Sequence, residues 1–194
     1  MLTTWPLFLF LSNTLLILGY SPINRFVKGG FAPKHKLDRQ LPLVPAFVYP
    51  YVFAYFPWII FTYISIFFRP IPEIQLLTLT TLIASVIGYG AFILMPTYVE
   101  CIYPIGNGLS YRILQLVHRV DRQNNACPSM HVYMTVILMV FSWTQNTVTN
   151  IVVVVVGALI ITSTVLTKRH YVLDIVGGVI VGTMSVILAK YLIS

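Results

Sequence analysis

Two apolar stretches separated by a short polar segment occupy residues 151–193, which read IVVVVVGALIITSTVLTKRHYVLDIVGGVIVGTMSVILAKYLI. Each apolar stretch approaches the roughly 20 residues that an α-helix needs to cross the ~30 Å hydrocarbon core of a bilayer. The polar segment, residues 167–174, contains two cations, a histidine and a carboxylate. The pattern predicts two membrane-spanning helices joined by a charged turn whose side chains are of types that occur in catalytic sites.

The composition of the whole chain agrees with a membrane location. Of its 194 residues, 58% are hydrophobic and 9% are charged, whereas a soluble domain usually has about a quarter charged residues. So little polar surface cannot cover a core in water, which excludes a soluble globular enzyme and a disordered tail. The basic residues are scattered among apolar spans despite a net charge of +7, so we expect no nucleic-acid partner and favour anionic lipid or a phosphorylated substrate.

Comparable apolar stretches predict an all-α, polytopic membrane helical bundle of six transmembrane helices, forming a single domain over residues 1–194. The first stretch has no basic residue before its apolar run and no small-x-small cleavage site, so we interpret it as a retained span. Pro45, Pro50 and Pro57 interrupt the second stretch and are expected to bend it. The predicted spans are about 2–20, 44–68, 74–95, 129–145, 150–167 and 172–193.

Most of the charge falls on one face of this predicted bundle. Six spans place loops 21–43, 96–131 and 167–174 on one face, which we call side B, and both termini on the other, side A. We expect the active site on side B. Apart from Arg69, Glu73 and Lys190, every charged residue lies on side B, namely Arg25, Lys28, Lys34, Lys36, Asp38, Arg39, Glu100, Arg112, Arg119, Asp121, Arg122, Lys168, Arg169 and Asp174.

One histidine on side B stands at the expected mouth of a helix. His131 ends the segment NNACPSMH at residues 124–131. A helix that begins near Pro128 points its free amide groups toward side B, where they favour an anion. Two further histidines are interpreted without a role in the site. His118 is interpreted as an interfacial residue and His35 as a solvated loop residue.

A second histidine has a carboxylate one helical turn away. His170 precedes Asp174 by four residues, so the carboxylate can bind one imidazole nitrogen and leave the other as a free lone pair. This arrangement orients a nucleophile or a base. Lys168 and Arg169, directly before the histidine, supply positive charge for a phosphate.

Together these two segments resemble the second and third signature motifs of the type 2 phosphatidic acid phosphatase superfamily. The motifs are PSMH at residues 128–131 and HYVLD at residues 170–174, with the second histidine 39 positions after the first. The details are most similar to the branch that contains bacterial lipid phosphatases and inositol phosphorylceramide synthase-like proteins. The resemblance extends over nearly the whole chain and includes residues 37–45, 96–97 and 121–125.

The resemblance implies a metal-independent lipid phosphatase without cofactors that works through a phosphohistidine intermediate. His170 would attack the phosphorus of a phospholipid or an isoprenyl phosphate in the bilayer while Asp174 holds its ring. His131 would protonate the leaving oxygen and then activate the acceptor. The phosphate oxygens would be bound by amides at the helix mouth and by Ser129, Lys168, Arg169 and Arg122.

Two segments depart from the family pattern. The first family motif ends in Arg-Pro shortly after the third span, whereas residues 96–102 read PTYVECI. The third motif often begins Ser-Arg, and this chain has Ser163 and Thr164 there. Lys168 and Arg169 would replace part of the missing charge, with further candidates in Arg112, Arg119 and Arg122.

Three alternatives stay open from sequence. An alcohol instead of water could resolve the phosphohistidine, which would make the protein a phosphotransferase of the inositol phosphorylceramide synthase-like kind. His131 and His170 could instead ligate a haem as a bis-histidine membrane protein. The two departures from the family pattern also allow an inactive membrane scaffold.

The location of side B is subject to two opposing rules. The superfamily usually has its site outside the cytoplasm, whereas the positive-inside rule places the basic side B in the cytoplasm. We follow the resemblance and expect a multi-pass protein of a bacterial plasma membrane with an extracytoplasmic site. Cys101 and Cys127 are interpreted as two unrelated buried thiols, with a disulfide across the site as the alternative in an oxidising compartment.

Overall fold

The computed structural model describes residues 4, 8, 18–20, 22–66, 68–100, 102–121 and 123–193. Within these ranges the chain is helical, with two isolated β-bridges and no strands, which confirms the all-α prediction. A short 3₁₀ turn, Lys36–Arg39, precedes the main helices. Those helices are α1 (Pro45–Ile66), α2 (Ile71–Leu94), α3 (Leu109–Val120), α4 (Met130–Phe141), α5 (Thr147–Leu166) and α6 (Val172–Ile193).

Four of the helices, α1, α2, α5 and α6, are long and apolar enough to cross a membrane. Helix α4 is apolar but has only 12 residues, about 18 Å of length at ~1.5 Å per residue. It ends before the predicted boundary at 145 because the chain turns at Ser142 and Asn146 caps the next helix. These helices make the chain an integral membrane protein. The first predicted span, 2–20, lies outside the described residues except for 4, 8 and 18–20, so the count of six stays a prediction.

Helix α1 begins irregularly where its first two prolines lie. Pro45 opens a 3₁₀ turn, Pro45–Phe47, and Pro50 opens a π-helical turn, Pro50–Ala54. Proline cannot donate a backbone hydrogen bond, which favours such departures from α-helical geometry, and π turns are frequent at functional sites. The regular helix Tyr55–Ile66 follows.

Loop 96–131 contains the amphipathic helix α3. His118 of this helix is half-buried instead of lying free at the interface. Its Nε2 atom is 3.1 Å from the Thr167 carbonyl oxygen, and its Nδ1 atom is 3.3 Å from the Gln123 amide. The first contact requires a proton on Nε2, so the ring links α3 to the segment that precedes α6. Burial is the main cause that lowers the pKa of His118.

Helices α4 and α6 approach closely because glycines face the contact. A Cβ atom on Gly178 would lie 2.7 Å from Val132 Cβ and 2.8 Å from the Ser129 carbonyl oxygen. One turn later, a Cβ atom on Gly182 would lie 2.9 Å from the Tyr133 carbonyl oxygen. Small residues spaced by four positions let helices in membranes pack at short range. This contact brings the start of α4 against the start of α6.

We expect Gly178→Ala to destabilise the protein by about 1–3 kcal/mol, as overpacking of a tight contact usually does. The added methyl group would separate α4 from α6. A melting curve in detergent measures the effect. Gly90→Ala on α2 is the matched control, because nothing lies within 4 Å of its Cβ position. An unchanged melting temperature for Gly178→Ala would contradict this account of the contact.

The loops of side B are tied together by polar contacts around Thr97. Its hydroxyl oxygen accepts hydrogen bonds from the backbone N–H groups of Ala126 (3.1 Å) and Cys127 (2.9 Å). Its carbonyl oxygen accepts another from the Asn125 N–H at 2.6 Å. These bonds fix the chain just before α4, including the Ala126 carbonyl group that reaches the site.

Candidate active site

His170 is held by two acceptors at one ring nitrogen. Its Nδ1 atom lies 3.1 Å from the Ala126 carbonyl oxygen and 3.3 Å from Asp174 Oδ2. Both partners accept, so the proton resides on Nδ1 and the lone pair on Nε2. The side chain keeps 11% of its surface exposed. The ring is thus oriented as a nucleophile with an accessible nitrogen.

Asp174 owes its position to the first turn of α6. Its Oδ2 atom also accepts a hydrogen bond from the Tyr171 backbone N–H at 2.8 Å, as an acidic residue at the third helical position commonly does. The side chain is fully buried. The carboxylate therefore caps the helix and orients His170 with the same oxygen.

His131, the second residue of α4, lies beside His170 with 6.3 Å between the ring centroids. Its ring stacks on Tyr51 and Tyr55 of α1, with centroid distances of 4.2 Å in both cases. Its Nε2 atom is buried and has no hydrogen-bond partner among the described residues. An imidazole nitrogen in this condition is available to a substrate atom.

Ser129 lies at the N-cap of α4 and also has an unused polar group. Its side chain is fully buried and makes no capping bond, and its Oγ atom has no partner within the described ranges. Its backbone N–H donates to the Asp174 carbonyl oxygen at 3.0 Å. That bond ties the starts of α4 and α6 together.

Arg169 is buried, with 2% of its side chain exposed, and forms an ion pair with Asp121. Its Nη2 atom donates to Asp121 Oδ2 at 2.6 Å and to the Asp121 carbonyl oxygen at 3.1 Å. Burial is the largest influence and lowers the pKa of Arg169, but the Asp121 carboxylate together with Tyr51 and Tyr20 raises this pKa on balance. The Nε and Nη1 atoms are buried and make no hydrogen bond of regular geometry in the described part of the chain, although Tyr51 interacts with the guanidinium.

The other two predicted phosphate ligands have different outcomes. The Lys168 amino group donates to the backbone carbonyls of Asp38 (3.1 Å) and Leu41 (2.5 Å), and burial lowers its pKa. Its charge therefore holds the loop before α1. Arg122 lies outside the described residues.

Of the two cysteines, Cys101 also lies outside the described residues. Cys127 is a free thiol, and burial raises its pKa to about 12.

A cavity of about 350 Å³ opens beside His170, and its lining is more apolar than polar. Charged residues of both signs line it, namely Lys34, Asp38, Arg39, Glu100 and Lys168. Cavities of a few hundred Å³ are typical of small-molecule sites. The cavity therefore leaves room for a small molecule next to the His170 ring.

The unpartnered atoms described above belong to one small constellation. Ser129, His131 and Arg169 contribute buried, unpartnered polar atoms close to His170 and the start of α4, and Asp174 Oδ1 is an unpartnered acceptor there within the described ranges. Leaving a buried polar group unsatisfied costs about 1–3 kcal/mol, so these atoms are suited to contact a polar ligand. No group of three or more metal-binding side chains occurs among the residues that the structure describes.

A family model for the PAP2 superfamily matches residues 30–188 of the chain. The chain belongs to the PAP2 superfamily. No curated protein and no solved structure matches it. Membership of the PAP2 superfamily supports a phosphatase-type activity, since its members act on lipid phosphates.

The PAP2 match includes both predicted histidines and Asp174, and the structure brings these residues together. Three neighbours of the site were missed from sequence: Tyr51, Tyr55 and Asp121. The partner of Asp121 is 48 residues away, and no local pattern reports such a pair. The two tyrosines are one helical turn apart near Pro50. This spacing predicts that they share a helical face, but it does not predict which residue that face contacts.

Proposed function

We propose that this PAP2 protein releases phosphate from a lipid head group through a phosphohistidine formed on His170. The main support is the orientation of that ring, with a protonated Nδ1 atom bound to Ala126 and Asp174. The Nε2 lone pair is then free to attack phosphorus. The buried, unpartnered donors beside it supply the second support, because they suit a phosphoryl group.

The reaction would proceed in two displacements. In the first, His170 Nε2 forms a bond to phosphorus, the bond from phosphorus to the lipid oxygen breaks, and His131 Nε2 gives that oxygen a proton. In the second, His131 takes a proton from water, the water oxygen bonds to phosphorus, and the phosphorus–nitrogen bond breaks. Phosphate leaves, and both histidines return to their starting protonation states.

Arg169 would bind the equatorial oxygens with its Nε and Nη1 atoms while Asp121 holds the remaining end of the guanidinium. A planar guanidinium suits two phosphate oxygens better than an ammonium group does. Ser129 and the first amides of α4 add neutral donors. This arrangement would replace the arginines that the family carries in its first and third motifs.

The position of the site supports a lipid substrate. His131 and His170 lie at or just before the starts of two apolar helices, α4 and α6. A substrate with its chains in the bilayer could present a head group there. Phospholipids and isoprenyl phosphates both meet this requirement.

Purified protein in detergent should release phosphate from phosphatidic acid or from an isoprenyl diphosphate, and EDTA should leave the rate unchanged. The physical reason is that N–H and O–H donors, rather than a bound metal cation, are proposed to bind the phosphate oxygens. Measuring phosphate release with and without the chelator tests this. Inactivity on every lipid phosphate tested would contradict the proposal, and complete loss in EDTA would overturn its metal-independence.

Transfer to an alcohol is a second candidate function, favoured by the cavity next to His170, which has room for a small alcohol. An alcohol held there could replace water in the second displacement. Product analysis with glycerol or inositol added to the reaction separates the two. A ratio of phosphorylated alcohol to phosphate that exceeds the molar ratio of alcohol to water supports transfer. Phosphate as the sole product supports hydrolysis.

We further propose that side B faces away from the cytoplasm. Lys36 lies exposed in the loop before α1, so Lys36→Cys in a background without the two native cysteines offers a label site. An impermeant maleimide should react with it in intact cells. Reaction only after the membrane is opened would place the site in the cytoplasm.

A further inference from the structure

The ring of His131 is enclosed by two tyrosines in a way that the two displacements do not by themselves require. Tyr51 stacks on the imidazole with an interplanar angle of 16°, and Tyr55 stacks with an angle of 29°. Two rings with centroids 4.2 Å away cannot share one face of an imidazole. His131 therefore lies between them, and Phe56 meets it edge-on at 6.3 Å.

The irregular start of α1 provides this enclosure. Tyr51 belongs to the π-helical turn Pro50–Ala54, and Tyr55 follows directly after that turn. Both tyrosines are almost fully buried, at 3% and 4% exposure. Residues four positions apart lie on the same face of a helix. This segment of α1 thus presents both rings toward α4.

Stacking on both faces leaves only the edge of the imidazole for other contacts. The other groups that face His131 are His170, Arg169 and Phe56, and none of them hydrogen-bonds its Nε2 atom among the described residues. The clamp therefore determines where Nε2 points.

We propose that Tyr51 and Tyr55 are positioning residues that clamp His131 with its Nε2 atom directed at the leaving oxygen. This inference rests on the proposed function. It adds that departure of a poor leaving group depends on the two aromatic rings. A good leaving group needs no proton, so its departure should not depend on them.

The test compares two substrates that share the transferred phosphoryl group. The leaving group of dioctanoyl phosphatidic acid is an alcohol oxygen, which needs a proton to depart. The leaving group of p-nitrophenyl phosphate is p-nitrophenolate, which is stable without a proton. The ratio kcat/KM reports the steps up to departure of the leaving group, so it isolates the first displacement. Tyr55→Leu removes one ring, Tyr55→Phe keeps it, and His131→Gln gives the effect of losing the acid entirely.

We expect Tyr55→Leu to lower kcat/KM for the phosphatidic acid by roughly 10- to 100-fold, within the range that general acid catalysis contributes, and to lower it much less for p-nitrophenyl phosphate. Tyr55→Phe should restore most of the activity. Phe53→Leu is the matched control, since Phe53 is on the same turn, is 57% exposed and stacks on Tyr49 instead.

Three results would overturn the inference. Equal losses on both substrates would assign Tyr55 a purely structural role. Full activity of Tyr55→Leu on the phosphatidic acid would show that the clamp is not needed. A His131→Gln variant without leaving-group selectivity would remove the general acid itself. Wild-type protein without activity on either substrate would instead defeat the proposed function, which is a distinct outcome.

Discussion

Replacing His170 by glutamine abolishes phosphate release, with an expected fall in kcat of at least about 10⁴-fold, as loss of a catalytic nucleophile commonly produces. Glutamine can still donate to the Ala126 carbonyl oxygen but has no lone-pair nitrogen to attack phosphorus. The measurement is the steady-state rate on the best lipid phosphate. His118→Gln is the control, because His118 is half-buried in the same loops and touches no reacting group.

Two results would contradict the assignment of the nucleophile. A His170→Gln variant with more than a few per cent of wild-type activity would require another nucleophile. An equal loss in His118→Gln would indicate that any histidine in these loops is needed for folding. Melting curves of both variants separate the second case from a catalytic effect.

Replacing Arg169 by glutamine should lower kcat/KM by about 10²–10³-fold, the range found when a preorganised donor to a developing oxyanion is removed. The change deletes the positive charge and the two buried donors, and it leaves the Asp121 carboxylate without its cation. Arg169→Lys should recover only part of the activity, because a lysine keeps the charge without the planar fork.

Inhibition by inorganic vanadate gives an independent readout of the same residue. Arg169→Gln should bind vanadate more weakly by a similar factor, whereas a purely structural defect would lower the amount of folded protein and leave the affinity of the remainder unchanged. Unaltered kcat/KM in a folded Arg169→Gln protein would show that other groups bind the phosphate.

Much of the helical framework could be predicted because it follows from local properties. Apolar length predicts α1, α2, α5 and α6 close to their observed ends. The pair formed by His170 and Asp174 spans four residues, so the helical repeat alone predicts their contact. The amphipathic pattern of α3 was readable too, since Leu114 faces inward while Arg112 is exposed.

The rest of the site depends on contacts between distant segments. Asp121 meets Arg169 across 48 residues, and the tyrosines of α1 meet His131 across more than 70. Such pairs are fixed by how helices pack, and no local periodicity encodes them. The glycines at 178 and 182 were the readable signal, because their spacing predicts close approach of α6 to a neighbour. The contacts of Lys168 are of the same kind, because its amino group donates to the carbonyl groups of Asp38 and Leu41 more than 120 residues away.

The central claim is that His170 becomes phosphorylated during turnover. Rapid alkaline quenching of the protein with a ³²P-labelled lipid phosphate, followed by peptide mapping, tests it most directly. The account predicts an acid-labile, alkali-stable label on the peptide that contains His170. The label should disappear on the timescale of turnover once the labelled substrate is exhausted, and it should be absent from His170→Gln. Active wild-type protein with no labelled His170 under these conditions, or with the label on another residue, would contradict it.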